Sequence, residues 1–543
     1  MGLKEKKRQS RLQEHIPHPY GVEPLGNKWL KGPTNCRGGG LGMLHIVDDE
    51  HVLEVLSCAG ARELGRLACT SRALYAFSHA DDLWKTLALG EMARRPGQRM
   101  KTRRGGWKET FRGIVSEPRE DGEGSPHTPI KVAGLYSDLL FQPHLCATAP
   151  LREEWLLRET VDRRAGLTPD EFRQEYELPN RPVILTDAIQ SWAALWEWTR
   201  EGLRERHGDL CVHAGGLDFS LADYLRYAEE TRDELPLYVF DKRFVEKAPA
   251  LGRAYSVPEV FADDLFSLLG EEERPDYRWL IAGPARSGSS FHVDPNGTSA
   301  WNALVSGRKK WVLFPPGHIP PGVHPSEDGL DLATPVSVVE WFLNFYQAAR
   351  ATPHPPLECV CAAGEAVFVP RGWWHCVLNL EWSVAITQNF VSRPSLPHVL
   401  RLLRKRPHLV SGLPPARRPG LGPRFWAALR ERRPDLCRNP EVAEAAGAWA
   451  SAAGAAAGEE KEGASAAGVA GAEPAEVDSE DSARAGGRGG GGGGHSAGEG
   501  GDGSAPAKVG GGGGLWAAIK GPGGGGGGGG RGRGGQGCGW AGG

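Results

Sequence analysis

The chain has 543 residues, enough for two or three domains, with 40% apolar residues and a formal net charge of −3. No apolar run approaches the length of a membrane span, so a membrane partner is not expected. The basic N-terminus is followed by no apolar segment of the kind found in secretory signals. The ten cysteines have no regular spacing, which is typical of reduced thiols inside a cell. We therefore expect a soluble protein of the nucleus or cytosol.

The N-terminal third of the chain divides into three parts by composition. Residues 1–42 are basic, polar and interrupted by Gly and Pro, and we expect them to be disordered. In residues 43–90 apolar side chains recur at spacings of three and four, which predicts a small all-α unit. Residues 91–150 include a polar stretch around 121–127, and we expect them to form a linker.

The segment 151–395 alternates short helices with strand-like runs that Gly and Pro delimit. The runs with the clearest strand pattern are Arg181–Thr186, Arg278–Ile281, Lys310–Phe314, Ala366–Val369 and Ser383–Asn389. Strands at this density predict a double-layered antiparallel barrel of the jelly-roll type. The expected fold class is a mainly β core with flanking helices.

The C-terminal part changes character twice. Residues 396–439 look helical and strongly basic, with Arg401 and Arg433 bounding the densest stretch. That stretch is suited to nucleic acid, to an acidic protein surface or to a nuclear signal, and a solvated helical face explains it equally well. Residues 440–543 are mostly Ala, Gly, Glu and Ser, and we expect a disordered tail because such a segment buries too little apolar surface.

Three residues form a chemical set although they lie far apart. His292 and Asp294 are two residues apart, so in an extended chain both side chains point to one face, and His375 begins another strand-like run. Two imidazoles and one carboxylate suit non-haem Fe(II) and leave positions open for a cosubstrate and dioxygen. The triplet alone is a weak signal, because His79-Ala-Asp81 fits the same pattern in the helical region.

Long motifs surround these three residues. They include Gly283-Pro-Ala-Arg-Ser-Gly-Ser-Ser-Phe-His292, Asp294-Pro-Asn-Gly-Thr-Ser-Ala-Trp-Asn302 and Gly364-Glu-Ala-Val-Phe-Val-Pro-Arg-Gly-Trp-Trp-His375. Here the chain resembles the JmjC-domain oxygenases, in the phosphatidylserine-receptor-like branch of bifunctional arginine demethylases and lysyl hydroxylases. The resemblance covers residues 155–435 and implies the double-stranded β-helix of the cupin type.

The resemblance also implies the roles of single residues. The Fe(II) ligands, and so the catalytic residues, would be His292, Asp294 and His375. A lysine that holds the distal carboxylate of the cosubstrate 2-oxoglutarate aligns with Lys309, although a solvated strand lysine is the ordinary reading of that residue alone. Further contacts to 2-oxoglutarate are implied for Tyr238, Ser289, Asn302 and Thr387. Trp373 and Trp374 are expected to serve packing.

Residues 44–87 resemble an F-box in their Val52-Leu-Glu-Val-Leu56 and Leu83-Trp-Lys-Thr-Leu87 segments. An F-box implies binding to the Skp1 adaptor of a cullin ubiquitin ligase. A helical cap that packs on the oxygenase domain is the alternative, since short amphipathic patterns are common. An F-box followed by a JmjC domain is an arrangement of plant and algal relatives.

These observations predict a nuclear Fe(II)- and 2-oxoglutarate-dependent protein oxygenase that acts on a histone or RNA-processing protein tail. Demethylation of arginine or lysine and hydroxylation of lysine both remain open, because pocket shape decides between them. A homodimer through the C-terminal helices is implied by the resemblance. The competing hypothesis is a substrate-recognition subunit of a ubiquitin ligase that uses the barrel as a binding platform.

Overall fold

The computed structural model describes residues 16–31, 35–95, 97–115 and 128–450. Most of the predicted tail, and the first part of the N-terminus predicted to be disordered, lie outside these residues. Within the described part of those two segments, short helices span Asn27–Lys31, Arg37–Leu41 and Pro440–Ala446.

The helices lie before, between and after the strands of the core. In chain order they are α1 Asn27–Lys31, α2 Arg37–Leu41, α3 Asp49–Ser57, α4 Ala61–Ala68, α5 Arg72–Phe77, α6 Asp81–Ala93, α7 Trp107–Val115, α8 Asp138–Thr148, α9 Pro169–Phe172, α10 Ala194–Glu197, α11 Arg200–His207, α12 Leu221–Glu230, α13 Phe244–Lys247, α14 Pro249–Arg253, α15 Gly270–Glu273, α16 Val338–Asn344, α17 Tyr346–Arg350, α18 Leu396–Lys405, α19 Arg418–Arg432, α20 Pro434–Cys437 and α21 Pro440–Ala446.

The strands are short at the start and longer in the core. They are β1 Asp162–Arg164, β2 Val183–Leu185, β3 Cys211–Ala214, β4 Leu217–Ser220, β5 Val239–Asp241, β6 Arg278–Gly283, β7 Gly288–His292, β8 Ser299–Ser306, β9 Arg308–Phe314, β10 His324–Pro325, β11 Leu332–Ala333, β12 Leu357–Ala362, β13 Ala366–Val369, β14 Trp374–Asn379 and β15 Ser383–Phe390. All five strand-like runs of the sequence are strands here.

Two sheets face each other and form the barrel. The larger sheet has the order β1-β2-β13-β8-β15-β6-β5-β3-β4, and the smaller one has the order β12-β9-β14-β7. Side chains of both sheets, among them Leu304, Leu313, Val369 and Ala385, form one buried apolar cluster. Alternate residues therefore point into the barrel and away from it. The predicted jelly-roll core is confirmed.

Two of the four N-terminal helices α3 to α6 begin at a side chain that caps them. Asp48 and Ser71 cap α3 and α5 by accepting hydrogen bonds from the backbone amides of His51 and Leu74. The buried positions repeat at helical spacing, with Val52 and Leu56 in α3 as the clearest pair. The helical region predicted for residues 43–90 is thus present, with its last helix extending to Ala93.

The segment 91–150, expected to be a linker, contains the two helices α7 and α8. Trp107, Thr110 and Ile114 are buried at spacings of three and four, which explains why α7 is an amphipathic helix. The indole of Trp107 donates to Asp233 at 3.0 Å, and the amide of Met100 donates to the carbonyl of Asp218 at 2.8 Å. The segment therefore packs the N-terminal helices on the oxygenase domain, as the cap alternative expected.

The basic C-terminal segment uses most of its charges within the chain. Residues 401–433 contain ten Lys and Arg residues. Seven of them make internal ion pairs or donate to backbone carbonyls: Arg401, Arg404, Arg417, Arg418, Arg424, Arg432 and Arg433. The opposite faces of α18 and α19 are apolar and buried.

Within the described residues, no helix has the length and apolarity needed to traverse a lipid bilayer.

Candidate metal centre

The smaller sheet brings the three predicted ligands together. His292 is the last residue of β7, Asp294 lies in the turn that follows, and His375 is in β14 directly opposite His292. The two imidazole rings are 4.1 Å apart between centroids. One potential ligand atom from each of the three residues lies within 4.8 Å of those of the other two. No other group of three such residues is found in the described part of the chain.

Backbone carbonyls set the tautomer of both histidines. Nδ1 of His292 lies 2.8 Å from the carbonyl oxygen of Ser290, and Nδ1 of His375 lies 3.0 Å from that of Trp373. Since a carbonyl only accepts, each Nδ1 carries the hydrogen and each Nε2 keeps its lone pair. Burial, together with the neighbouring ring in the case of His292, lowers the pKa of both to about 4. Both imidazoles are therefore neutral donors.

Asp294 also has an atom available to bind a metal ion. Its Oδ2 atom is buried and has no hydrogen-bond partner among the described residues. Burial raises the pKa of this carboxyl group, while the neighbouring His292 and Asn389 side chains oppose the rise. A buried carboxylate oxygen without a partner is costly unless a cation satisfies it. The donor set of two imidazole nitrogens and one carboxylate oxygen thus fits Fe(II).

A β-bulge places Ser289 beside the metal ligands. His292 pairs with His375 and Ser289 pairs with Val377, so three residue steps in β7 lie against two steps in β14. Because His375 and Val377 point to one face, Ser289 and His292 do so as well. Without the extra residue the Ser289 hydroxyl would point out of the barrel. It lies 3.5 Å from the hydroxyl of Tyr238 instead.

Lys309 points into the barrel and is buried, with 2% of its surface exposed. It is four residues, about 13 Å along β9, from Leu313, which pairs with His375. No carboxylate of the described residues forms an ion pair with its amine. Burial lowers the pKa of Lys309 to about 8. The solvated strand lysine is therefore excluded, and the distance suits a dicarboxylate that reaches from the metal to this amine.

The other predicted contacts line the facing sheet. Asn302 in β8 pairs with Thr387 in β15, and both point inward. The Asn302 Oδ1 atom is buried without a partner among the described residues, and the Thr387 hydroxyl donates to the carbonyl of Trp301 at 3.0 Å. Burial raises the pKa of Tyr238 to about 12, so its hydroxyl remains a donor. The barrel interior thus brings together every predicted site residue.

Several known proteins are similar to this chain in sequence. A cupin-like domain family matches residues 169–395. Arginine-specific demethylase JMJ22 of Arabidopsis thaliana is 45% identical over 425 residues, which are 78% of this chain and 83% of that protein. The chain belongs to the JmjC-domain oxygenases. Among them it resembles the bifunctional arginine demethylase and lysyl-hydroxylase psr-1 of Caenorhabditis elegans, with 38% identity over 51% of this chain and 70% of that protein. Human 2-oxoglutarate and iron-dependent oxygenase JMJD4 is 30% identical over 43% of this chain and 62% of its own length.

This JmjC protein is therefore an Fe(II)- and 2-oxoglutarate-dependent dioxygenase of the phosphatidylserine-receptor-like branch. Bound Fe(II), with 2-oxoglutarate and dioxygen, supplies the oxidation of a substrate C–H bond to C–OH while 2-oxoglutarate becomes succinate and carbon dioxide. His292, Asp294 and His375 would hold the ion. The barrel keeps the site dry and fixes the orientation of what binds there.

Sequence reasoning did not assign four residues that the JmjC barrel places inside. Asn389 donates to the hydroxyl of Thr298 at 2.9 Å beside the metal turn, and Asn379, paired with Lys309, donates to Ser287. Phe240 and Trp279 stack at 5.3 Å between ring centroids. Asn389 shares a strand face with Thr387, so strand alternation does predict that it points into the barrel, although it assigns no role. The other three depend on strand pairings that no local pattern reveals.

Proposed function

We propose that this dioxygenase acts on basic side chains of a nuclear protein, first of all by demethylating methylated arginine. The observation that carries the proposal is the 45% identity to an arginine-specific demethylase over most of both chains. Hydroxylation of an unmodified lysine is the second candidate, which the similarity to a bifunctional demethylase and lysyl hydroxylase favours.

The barrel wall offers a surface for such a side chain. Phe240 and Trp279 point to the same inner face as Thr387, because Trp279 pairs with Thr387 and the intervening Leu280 belongs to the outer core. Their rings are nearly parallel, with an angle of 19° between the planes. Aromatic faces attract methylated and unmethylated cations by about 0.5–2 kcal/mol. The stack supports a guanidinium or ammonium substrate over a neutral one.

The position of the oxidised carbon decides the product. An N-methyl group that gains a hydroxyl group loses formaldehyde and leaves the amine with one methyl group fewer. A hydroxylated side-chain methylene is stable. Nothing in the chain needs to act on the hydroxylated product after it forms, so one site suits both outcomes.

Mass spectrometry separates the two reactions. Histone and splicing-factor peptides that carry methylarginine, methyllysine or unmodified lysine would be incubated with the protein, Fe(II) and 2-oxoglutarate. We expect loss of methyl groups from the methylarginine peptides, with one succinate formed per group lost. Asp294→Ala and His292→Ala should abolish both signals. A gain of oxygen on unmodified lysine alone would establish the second candidate, and succinate without any peptide change would contradict both.

We also propose that the N-terminal helical unit binds Skp1 and so links the oxygenase to a cullin ubiquitin ligase. The resemblance of residues 44–87 to an F-box is the basis. Large apolar side chains of this unit are exposed, with 80% of Met43, 72% of Ile46 and 53% of Val55 accessible. Exposed apolar side chains of this size suit docking against helices of a partner.

Point substitutions test this proposal better than a deletion, because residues of the N-terminal helices share one core with the barrel. Met43→Glu and Ile46→Glu should abolish co-purification with Skp1 and leave succinate formation unchanged. Leu157→Glu is the matched control, since Leu157 is 70% exposed outside this unit. Skp1 binding by the double variant would contradict the proposal. Skp1 binding by a wild-type protein without turnover would favour the recognition-subunit hypothesis instead.

We also propose a nuclear location, a homodimer and a nucleic-acid contact through residues 401–433. The basic character of this segment and the family resemblance support these three proposals. The internal ion pairs of the segment favour the alternative, a solvated and packed helical face. Light scattering of the purified protein tests the dimer. Binding to a labelled duplex at low and high salt tests the nucleic-acid contact, which should weaken with salt.

A further inference from the structure

The turn that carries Asp294 has an unusual backbone. Asp294 leads into a short 3-10 turn, Pro295–Gly297, in which Asn296 has φ 61° and Gly297 has φ 69°. Glycine adopts this left-handed conformation freely, and among other residues asparagine tolerates it best. The path of the chain from the metal ligand into β8 therefore depends on Asn296.

The side chain of Asn296 is tied to a distant part of the chain. Its Nδ2 donates to the carbonyl of Ser411 at 3.1 Å, and its Oδ1 accepts from the amide of Ser411 at 2.9 Å. The Asn296 side chain is buried, with 5% of the residue exposed. Both hydrogen-bonding ends of one side chain thus meet one backbone residue 115 positions away.

The C-terminal segment also packs against the same turn. A Cβ atom on Gly297 would lie 3.7 Å from the backbone of Val399 in α18, which is ordinary contact distance. Val399 is fully buried. On its other side, the turn is held by the Thr298 hydroxyl, which donates to Pro295 at 2.8 Å and accepts from Asn389 at 2.9 Å. The Asp294 turn is therefore supported from inside the barrel and from the C-terminal segment.

We propose that Asn296 is a positioning residue, which holds Asp294 in its metal-binding place by tethering the turn to Ser411. The two paired hydrogen bonds offset the cost of the left-handed backbone, which is unfavourable for a residue other than glycine. The C-terminal segment thereby becomes part of the metal site although it supplies no ligand. Anything that moves residues 407–413 should change the affinity for the ion.

The first test measures Co(II) binding to the full-length protein by its visible absorption, with Co(II) in place of Fe(II). Asn296→Gly keeps the left-handed backbone but removes the tether, and we expect the Kd for Co(II) to rise about 10-fold to 100-fold. Asn439→Gly is the control, because Asn439 also accepts from a backbone amide, that of Glu441 at 2.9 Å, within the same C-terminal segment. An unchanged Kd in Asn296→Gly would overturn the proposal.

The second test needs no variant to fold. If the ion and Ser411 are coupled through Asn296, binding of Co(II) must slow hydrogen exchange at the Ser411 amide, since such coupling is reciprocal. Exchange would be read at single amides by mass spectrometry with fragmentation, in the wild-type protein with and without Co(II). The Glu441 amide should not respond. Equal exchange at Ser411 in both conditions would refute the tether, whereas slower exchange at Ser411 in the presence of Co(II) would support it.

Discussion

Two neighbouring lysines on opposite faces of strand β9 differ in whether a carboxylate lies beside them. Lys309 and Lys310 are both buried, with 2% and 0% of their surfaces exposed, but alternation points them to opposite sides of the smaller sheet. On the outer face, Lys310 pairs with Glu358 at 2.9 Å and donates to the carbonyl of Arg158 at 3.2 Å. Tyr346 donates to the same Glu358 oxygen at 2.9 Å.

On the inner face, Lys309 has no such carboxylate among the described residues, and burial lowers its pKa. A buried charge without a counter-charge is expensive, so a protein retains it where a ligand supplies the opposite charge. The outer lysine has its carboxylate within the fold. For the inner lysine, we propose the distal carboxylate of 2-oxoglutarate as that partner.

The largest effect on stability is expected at the outer lysine. Lys310→Met removes the buried cation of Glu358 and leaves it only the partly exposed Arg158, whose Nε lies 3.2 Å from the other carboxylate oxygen. The free energy of unfolding should therefore fall by about 3 kcal/mol. Urea denaturation followed by tryptophan fluorescence measures this. Lys309→Met is the matched control, which removes an unpaired charge and should not destabilise the protein. Similar losses of unfolding free energy in the two variants would contradict the difference between the two faces of β9.

At the inner lysine the effect should appear in binding. Lys309→Met should raise the Kd for 2-oxoglutarate by at least about 30-fold, because a buried charge pair can no longer form. Titration calorimetry with Co(II)-loaded protein measures the change. Affinity for Co(II) itself should stay as it is in the wild type. If Lys310→Met, studied where it is folded, weakened 2-oxoglutarate binding as much, the assignment of Lys309 would be wrong.

Removing both outer charges tests whether Lys310 and Glu358 stabilise the fold as a pair. Lys310→Met combined with Glu358→Met removes both fully buried charges and leaves only the partly exposed Arg158 without its carboxylate. The double variant should therefore recover most of the stability that Lys310→Met loses. Denaturation of the single and double variants side by side gives the coupling between the two residues. Additive losses would show that the pair does not act as a unit.

The smallest effect is a pH dependence of cosubstrate binding. The pKa of Lys309 is lowered to about 8, so the free protein loses this positive charge as the pH rises above about 8. The Kd for 2-oxoglutarate should then increase, approaching tenfold per pH unit, while below that pH it should be flat. In Lys309→Arg the cation does not titrate in this range, so the slope should vanish whatever the affinity. A Kd for the wild type that falls with rising pH would contradict this sign.

Much of the fold follows from local patterns. The strand-like runs such as Ala366–Val369 are β-branched and apolar, and they are strands because such residues fit a pleated, buried surface. Strand β7 was not predicted, since Gly288-Ser-Ser-Phe-His292 has no apolar alternation, and its pairing with β14 makes it a strand. The helices of residues 107–115 and 138–148 were missed because the polar stretch between them dominated the composition.

The sequence by itself determined which residue types meet the metal and the cosubstrate, because the motifs around His292, Asp294 and His375 carry that chemistry. Only the tertiary structure decided that Ser289 faces inward, that Lys309 lacks a carboxylate where Lys310 has one, and that Asn296 binds Ser411. Each of these depends on the register between strands or on contacts between distant segments, and one inserted residue reverses the face of a side chain. Periodicity along the chain contains no information about such partners.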